Sequence, residues 1–143
     1  FILGNTSGIG LVGTAFGIPS AIANMTPMAA MGLGPTDISI PKLYWSIAAQ
    51  RHLSFNEVFA SPLGTTTFYA QLTEGGMRLD ENSADEILEL TLEMFDLLEK
   101  PASAEEQLLQ SKYQALFTDG HYGYMTAAKA GARFLKRHRN LLE

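Results

Sequence analysis

No Asp, Glu, Lys or Arg occurs before Asp37. A charge-free opening rich in Gly, Ala, Ile and Met must be buried on most sides, as strands and helices in the middle of a doubly wound sheet are. Its longest apolar stretch, Ile9 to Ala23, is interrupted by Gly10, Gly13, Gly17 and Pro19. It falls short of the roughly 20 residues a membrane-spanning helix needs, so interior α/β packing is the expectation. Further on, charge is segregated: Asp80 to Glu106 is densely acidic and Lys129 to Arg139 is basic.

The 143 residues, 46% of them hydrophobic, suit a single domain with a packed core. A net charge of -5 gives no general reason to expect nucleic acid, which calls for a basic surface. Without cysteine there is no disulfide, thiolate nucleophile or zinc–thiolate site. Phe1-Ile2-Leu3 reads as a buried strand already under way. The chain is therefore expected to be the carboxy-terminal portion of a larger α/β enzyme whose missing amino-terminal domain is its partner. Residues 1–80 form the α/β core in this reading, and residues 81–143 a helical extension.

Local signals place the elements. Phe1 to Leu3 reads as a strand, Gly4 to Gly8 as a turn, Ile9 to Phe16 as a short helix ended by Gly17, and Ser20 to Asn24 as the next strand. Thr26 to Asp37, with Pro27, Gly32, Gly34 and Pro35 among Met and Ala, reads as a loop packed partly inward. Pro41 removes a ladder donor and consigns Ile38 to Trp45 to an edge or an extended surface crossing. Three capping boxes start helices: Ser54 to Glu57, Ser83 to Glu86 and Ser103 to Glu106. Ile87, Leu90, Met94 and Leu97 recur at helical spacing, with Leu88, Phe95 and Leu98 widening the stripe. Asp119-Gly120 breaks the chain, and Thr126 to Leu142 returns to helix. Thr65 to Ala70 carries the one strand signal of the second half.

Chemistry centres on Gly4-Asn5-Thr6-Ser7-Gly8-Ile9-Gly10, between a strand and a helix, where backbone N–H groups favour an anion. Gly8 and Gly10 permit close approach, and Thr6 and Ser7 add hydroxyl donors; the same residues also suit a purely structural turn and cap. Gly8-x-Gly10-x-x-Gly13 satisfies a dinucleotide-binding fingerprint, which makes an NAD(P)-dependent oxidoreductase one alternative, beside a non-enzymatic α/β interaction module whose acidic and basic helices mediate assembly. That fingerprint wants an acid about 20 positions on, after a helix and a strand; here Pro19 ends the helix and the first acid is Asp37. No Tyr has a Lys four positions later, so the catalytic pair of short-chain dehydrogenases is lacking.

Asn5-Thr6-Ser7-Gly8, Phe16-Gly17-Ile18-Pro19, Asn24, Pro27 and Asp37-Ile38-x-Ile40-Pro41-Lys42-Leu43 resemble a bacterial glycosyltransferase family. The resemblance continues through Leu53-Ser54-Phe55-x-Glu57, Asn82-Ser83, Phe134-Leu135 and Leu141-Leu142. It implies the Rossmann-like carboxy-terminal domain of a GT-B-type enzyme, acting in the cytoplasm, which holds a nucleotide-sugar donor. It also implies Thr6, Ser7 and Gly8 at the diphosphate and Lys42 as a partner for its charge. The nucleotide sugar is a substrate, so no separate cofactor is expected, and no catalytic base is transferred. The chain alone is expected not to turn over.

Other candidates have a bland reading beside the functional one. Asn5 and Asn24 follow strands and point to the carboxyl edge, where α/β ligands bind. Asp37 suits sugar hydroxyls or, equally, a turn with Thr36. His52, His121 and His138 lack metal or triad spacing and read as surface residues. Lys129, Arg133, Lys136, Arg137 and Arg139 suit contact with the inner face of a membrane bearing a lipid-linked or surface-polysaccharide acceptor. They equally balance nearby acids. Tyr44 and Trp45 suit stacking on a ring, or a core.

Overall fold

A computed structural model describes residues 1–8 and 10–142; Ile9, the expected first residue of the opening helix, lies outside the described residues. In chain order the elements are β1 (Ile2–Asn5), α1 (Gly10–Ala15), β2 (Ser20–Met25), β3 (Ile38–Pro41), β4 (Leu43–Ser46), β5 (Arg51–His52), α2 (Phe55–Phe59), α3 (Tyr69–Glu74), β6 (Met77–Asp80), α4 (Ala84–Glu99), α5 (Ala104–Gln114), β7 (Lys129–Ala130), α6 (Ala132–Arg137) and α7 (Arg139–Leu142). The chain is α/β, with a parallel four-stranded sheet in the order β1-β2-β3-β7. A second, antiparallel sheet runs β5-β4-β6.

Helices cover both faces of the parallel sheet. Ile2 and Ser20, paired in register, face α1 at Gly13, where an added Cβ would stand 2.8 Å from each side chain. Phe1 turns the other way, its ring 5.0 Å from that of Phe95 on α4. From that side Leu90 and Met94 join Ala21, Ala23, Ile38 and Ile40 in one buried core. The core continues into an aromatic cluster: Tyr113 meets Phe55 and Phe59 edge-on at 5.5 Å each, and Phe59 meets Phe117 at 4.7 Å. Burial pushes the Tyr113 hydroxyl pKa up.

All three capping boxes form, with each serine accepting from the backbone of its glutamate and each glutamate accepting from the serine N–H. The loop after β2 does turn inward, burying Met28, Ala29 and Met31. Four expectations fail. Ile38 to Pro41 is no edge or surface crossing but a fully buried strand between β2 and β7. Pro41 is tolerated because it ends that strand, and Lys42 N takes over by donating to Met25 O at 3.0 Å. Thr65 to Ala70 is not a strand; it leaves a 3-10 turn at Pro62–Gly64 and enters α3. Thr126 to Leu142 is not one helix, because Lys129–Ala130 pairs with β3 before α6 and α7 begin. Residues 81–143 are consequently no extension: α4 covers β2 and β3, and β7 belongs to their sheet. Leu88, Phe95 and Leu98 also depart from the expected buried stripe, each staying more than half exposed.

Long-range polar contacts hold the second half down. Buried Glu93 accepts from Ala132 N at 2.7 Å and Arg133 N at 3.0 Å, capping α6 where Gly131 supplies no side chain. Burial pushes the Glu93 carboxyl up, and those two amides act against the rise. Gln110 brackets β7, donating to Ala130 O and accepting from Ala130 N at 3.1 Å. Four of the basic residues pair with acids of α4 and α5: Arg133 with Asp96, Arg137 with Glu89, and Lys136 and Arg139 with Glu105. Their charge is met within the fold, as expected of cations that balance nearby acids. No helix among the described residues is long and apolar enough to cross a membrane.

Truncating the cluster at Phe55→Ala should cost about 3–5 kcal/mol in urea denaturation, the usual penalty for a buried Phe. Glu86 supplies a pH test. Burial raises its carboxyl pKa, but hydrogen bonds from His138, at 2.5 Å, and from Ser83 outweigh this and hold it at about 2. The unfolded carboxyl titrates near an ordinary value of about 4.3. The contribution is therefore complete above that range and lost as pH falls through about 2. Glu86→Gln should lower the melting temperature at pH 7, and its deficit should narrow between pH 5 and pH 2.

Candidate functional site

At the carboxyl end of β1 the chain leaves the sheet through Thr6, Ser7 and Gly8. Thr6 clamps this turn to the strand beside it: its hydroxyl donates to Asn24 O at 3.3 Å and accepts from Thr26 N at 3.2 Å. Ser7 N turns back to Asn5 O at 2.7 Å. Ser7 and Gly8 are exposed, and among the described residues the Ser7 hydroxyl has no hydrogen-bond partner. Asn5, Thr6, Ser7 and Gly8 all line one cavity of about 330 Å³. Its floor and far wall come from Ile22, Met25, Met31 and Leu33, on β2 and the loop that follows, and it runs on to Thr14 and Gly32, the two residues that touch the Asp37 side chain from this side. Among the described residues no charged side chain lines it. The arrangement offers hydroxyl and main-chain dipoles on one side and an apolar bed on the other, which suits an uncharged ring carrying a polar or anionic substituent.

The structure does not bring the remaining candidates into this cavity. Asn24 sits at the same edge, but with φ of 54°, a left-handed conformation that Asn tolerates better than most residues. There it exchanges hydrogen bonds with Asn82: Asn24 N donates to Asn82 Oδ1 at 2.6 Å, and Asn82 N donates to Asn24 Oδ1 at 2.7 Å. Asn82 also donates to Pro41 O at 2.9 Å, tying the start of α4 to the ends of β2 and β3. Lys42 follows β3 at that edge and pairs with Glu81 at 3.2 Å, outside the cavity lining.

Asp37 lies at the opposite, amino edge of the sheet and is only 1% exposed. Its carboxylate accepts from Ser20 N at 2.9 Å, Gly34 N at 2.7 Å and the Thr14 hydroxyl at 3.4 Å. It is thus occupied by the fold rather than available to a sugar or ribose. Gly32 and Gly34 make room for it, since a Cβ at Gly32 would stand 2.6 Å from the Asp37 Cβ.

Sequence reasoning missed the apolar half of the cavity, although the Met and Ala content of the inward-packed loop was its signal. It missed Thr14, for which there was none. Nor did it find the group on the three-stranded sheet, where Arg78 stands 5.0 Å over the Trp45 ring and His52 bonds Asp80 at 2.9 Å. Hydrogen bonding from Arg78 leads the effects that hold the Asp80 carboxyl below its usual range. Tyr44 belongs to the core, its hydroxyl accepting from Met28 N at 3.3 Å. Among the described residues no three His, Asp or Glu side chains group as a metal site. Comparison of the chain with models of protein families, with curated proteins and with solved structures finds no match.

Asp37→Ala should lower stability by about 2–4 kcal/mol, because it strands the buried amides of Ser20 and Gly34. Gly32→Ala should also destabilise, by crowding the same carboxylate. Chemical denaturation reads both; an unchanged midpoint for Asp37→Ala would return that residue to the list of ligand-binding candidates.

Proposed function

We propose that this chain is the donor-binding portion of a GT-B-like glycosyltransferase of the bacterial cytoplasm, with a Rossmann-like sheet that holds a nucleotide sugar. The observation that carries the reading is the convergence of Asn5, Thr6, Ser7 and Gly8, at the carboxyl edge of a parallel sheet, on one cavity that runs from there to Thr14 and Gly32. Ligands of open α/β sheets sit at that edge. The diphosphate lies against Ser7 and Gly8, and the apolar bed of Ile22, Met25, Met31 and Leu33 receives a ring of the donor. Thr6 acts by holding the turn in place.

Transfer of the sugar to an acceptor, such as a surface polysaccharide, leaves a nucleoside diphosphate whose growing charge needs oriented dipoles and cations. Lys42 reaches it only after parting from Glu81. The oxidoreductase alternative loses its acid, because Asp37, the first carboxylate after the glycine turn, is buried at the far edge of the sheet. Contact with a membrane through the basic terminal residues finds little support, since Arg133, Lys136, Arg137 and Arg139 are already paired.

Titration calorimetry with UDP, GDP, CDP and NAD tests the reading. One nucleoside diphosphate should bind, and Ser7→Asp should weaken it at least tenfold, about 1.4 kcal/mol, while leaving the melting temperature unchanged. Binding of NAD alone, or a diphosphate affinity indifferent to Ser7→Asp, would overturn it.

A further inference from the structure

The antiparallel sheet carries a polar cleft of its own. Trp45 on β4 pairs in register with His52 on one side and Arg78 on the other, so the three side chains form a row on one face of the sheet. Arg78 braces the indole from the β6 side, 5.0 Å from the ring centre, and stays outside the cleft. On the β5 side the His52 ring meets the indole edge-on at 5.0 Å. There Trp45, Gln50, Arg51 and His52, with Ser54 ahead of α2 and Asn140 on α7, line about 420 Å³. That volume lies within the roughly 300–1,000 Å³ of small-molecule sites.

The charges around this cleft are already paired. Arg51 grips Glu57 through two bonds of 2.8 and 2.7 Å, and Arg78 holds Asp80 at 2.6 and 3.1 Å. Among the described residues no Asp or Glu lines the cleft. The Asp80 carboxylate, held ionised chiefly by Arg78, can only accept hydrogen bonds. His52 Nε2, 2.9 Å away, is therefore its donor, and Nδ1 of the neutral ring is left as an acceptor. Among the described residues Nδ1, the Trp45 indole N–H and the Asn140 amide have no partner, and no buried side-chain nitrogen or oxygen is left unpaired, so all three meet solvent. Gln50 adds a separate sign. It holds φ of 51° in the β4–β5 turn, a left-handed conformation in which Gly or Asn is ordinary and a longer side chain is strained. Strain of this kind concentrates at ligand sites. The Gln50 amide donates to Ile47 O at 2.7 Å, which leaves its oxygen to accept.

We propose that the cleft between the β4–β5 hairpin and α7 binds an uncharged sugar, packed on Trp45 and hydrogen-bonded to His52, Gln50 and Asn140. A sugar hydroxyl both donates and accepts, as a serine hydroxyl does. It satisfies His52 Nδ1 and the Gln50 oxygen as a donor, and the Trp45 and Asn140 N–H groups as an acceptor. The ring carbons lie on the indole, the kind of aromatic wall that small-molecule sites combine with a few placed polar groups. An ionised phosphate or carboxylate only accepts, so it would oppose two acceptors and find no cation without its counter-ion. Arg78 and Asp80 are positioning residues: the guanidinium holds the carboxylate, the carboxylate holds the imidazole, and neither touches the sugar. This site shares no lining residue with the Asn5–Gly8 cavity and does not depend on what that cavity takes.

Trp45 is the only tryptophan of the chain, so its emission reads the cleft directly. Titration with glucose, galactose, mannose, N-acetylglucosamine, maltose and cellobiose should give a saturable shift for at least one of them, with a dissociation constant in the millimolar range. Inorganic phosphate and acetate should give none. His52→Ala should weaken the responding sugar at least about fivefold, and Asp80→Asn, which keeps the imidazole but removes the carboxylate that fixes its tautomer, at least about threefold. Gln50→Gly deletes the side chain at a φ that glycine accepts. It should weaken the sugar at least about threefold without lowering the melting temperature, a combination that a purely structural Gln50 would not give. In the unsubstituted protein the Trp45 indole and Gln50 amide resonances should move together along the same titration, a readout that survives if the variants fail to fold. No response to any of these sugars, a response to phosphate or acetate instead, a Trp45 resonance that stays still, or a sugar affinity indifferent to both His52→Ala and Gln50→Gly overturns the proposal.

Discussion

A single buried carboxylate organises the amino edge of the sheet. Asp37 reaches the first amide of β2 through Ser20 N, the preceding loop through Gly34 N, and α1 through the Thr14 hydroxyl. Its own carbonyl accepts from Lys129 N at 3.0 Å, the first rung between β3 and β7. α1, β2, the loop before β3 and the distant β7 thus meet at one residue. The cost of burying a charge is offset when it is fully hydrogen-bonded, and here the donors are backbone groups that would otherwise lie unpaired at strand and loop ends. Because β2 and β3 are linked by a loop rather than a helix, no crossover helix fixes their register; Asp37 and its glycine pocket do so instead.

The same device recurs wherever the main chain cannot complete its own pairing. Asn82 satisfies the left-handed Asn24 and the carbonyl of Pro41, whose ring ends the β3 ladder. Glu93 caps α6 from α4, and Gln110 holds both polar groups of Ala130 in a strand of two residues. Each contact joins positions at least 20 residues apart. A short strand such as β7 has too few ladder bonds to be stable by itself, so its position is set by these side chains and by the core beneath it.

This division explains what could be read in advance. The three capping boxes were legible because the hydroxyl and carboxylate that satisfy the first helical amides lie three residues apart in sequence. The β1–α1–β2 order was legible from glycine punctuation and an absence of charge. β7 was not, since Lys129–Ala130 carries no strand pattern and is extended because Gln110 and β3 make it so. Pro41 misled by suggesting an edge, where it serves as the final residue of a central strand. For the site, the turn residues announced themselves, whereas Asp37 and Asn24 drew notice for the right polarity and proved to spend it on the fold. Leu88 and Phe95 fitted a helical period but not the core this chain builds, and the discrepancy marks a surface rather than an error of period.

The cavity beside Asn5–Gly8 follows from these constraints. Thr6 has its hydroxyl engaged with Asn24 and Thr26 on β2 and the loop beyond, so it sets the shape of the turn and leaves Ser7 and Gly8 to meet a ligand. The floor is apolar because Ile22 faces α1 while the loop after β2 folds Met31 inward, and the nearest cation at this edge, Lys42, is held by Glu81. A charged ligand here is met by dipoles before it is met by charge, an arrangement that discriminates by shape and hydrogen-bond geometry more than by net charge. Dipoles of that kind gain strength as water is excluded, and β1 is the one side of the crevice with no neighbouring strand. A ring seated on the apolar bed excludes that water and so sharpens the same groups that the turn presents.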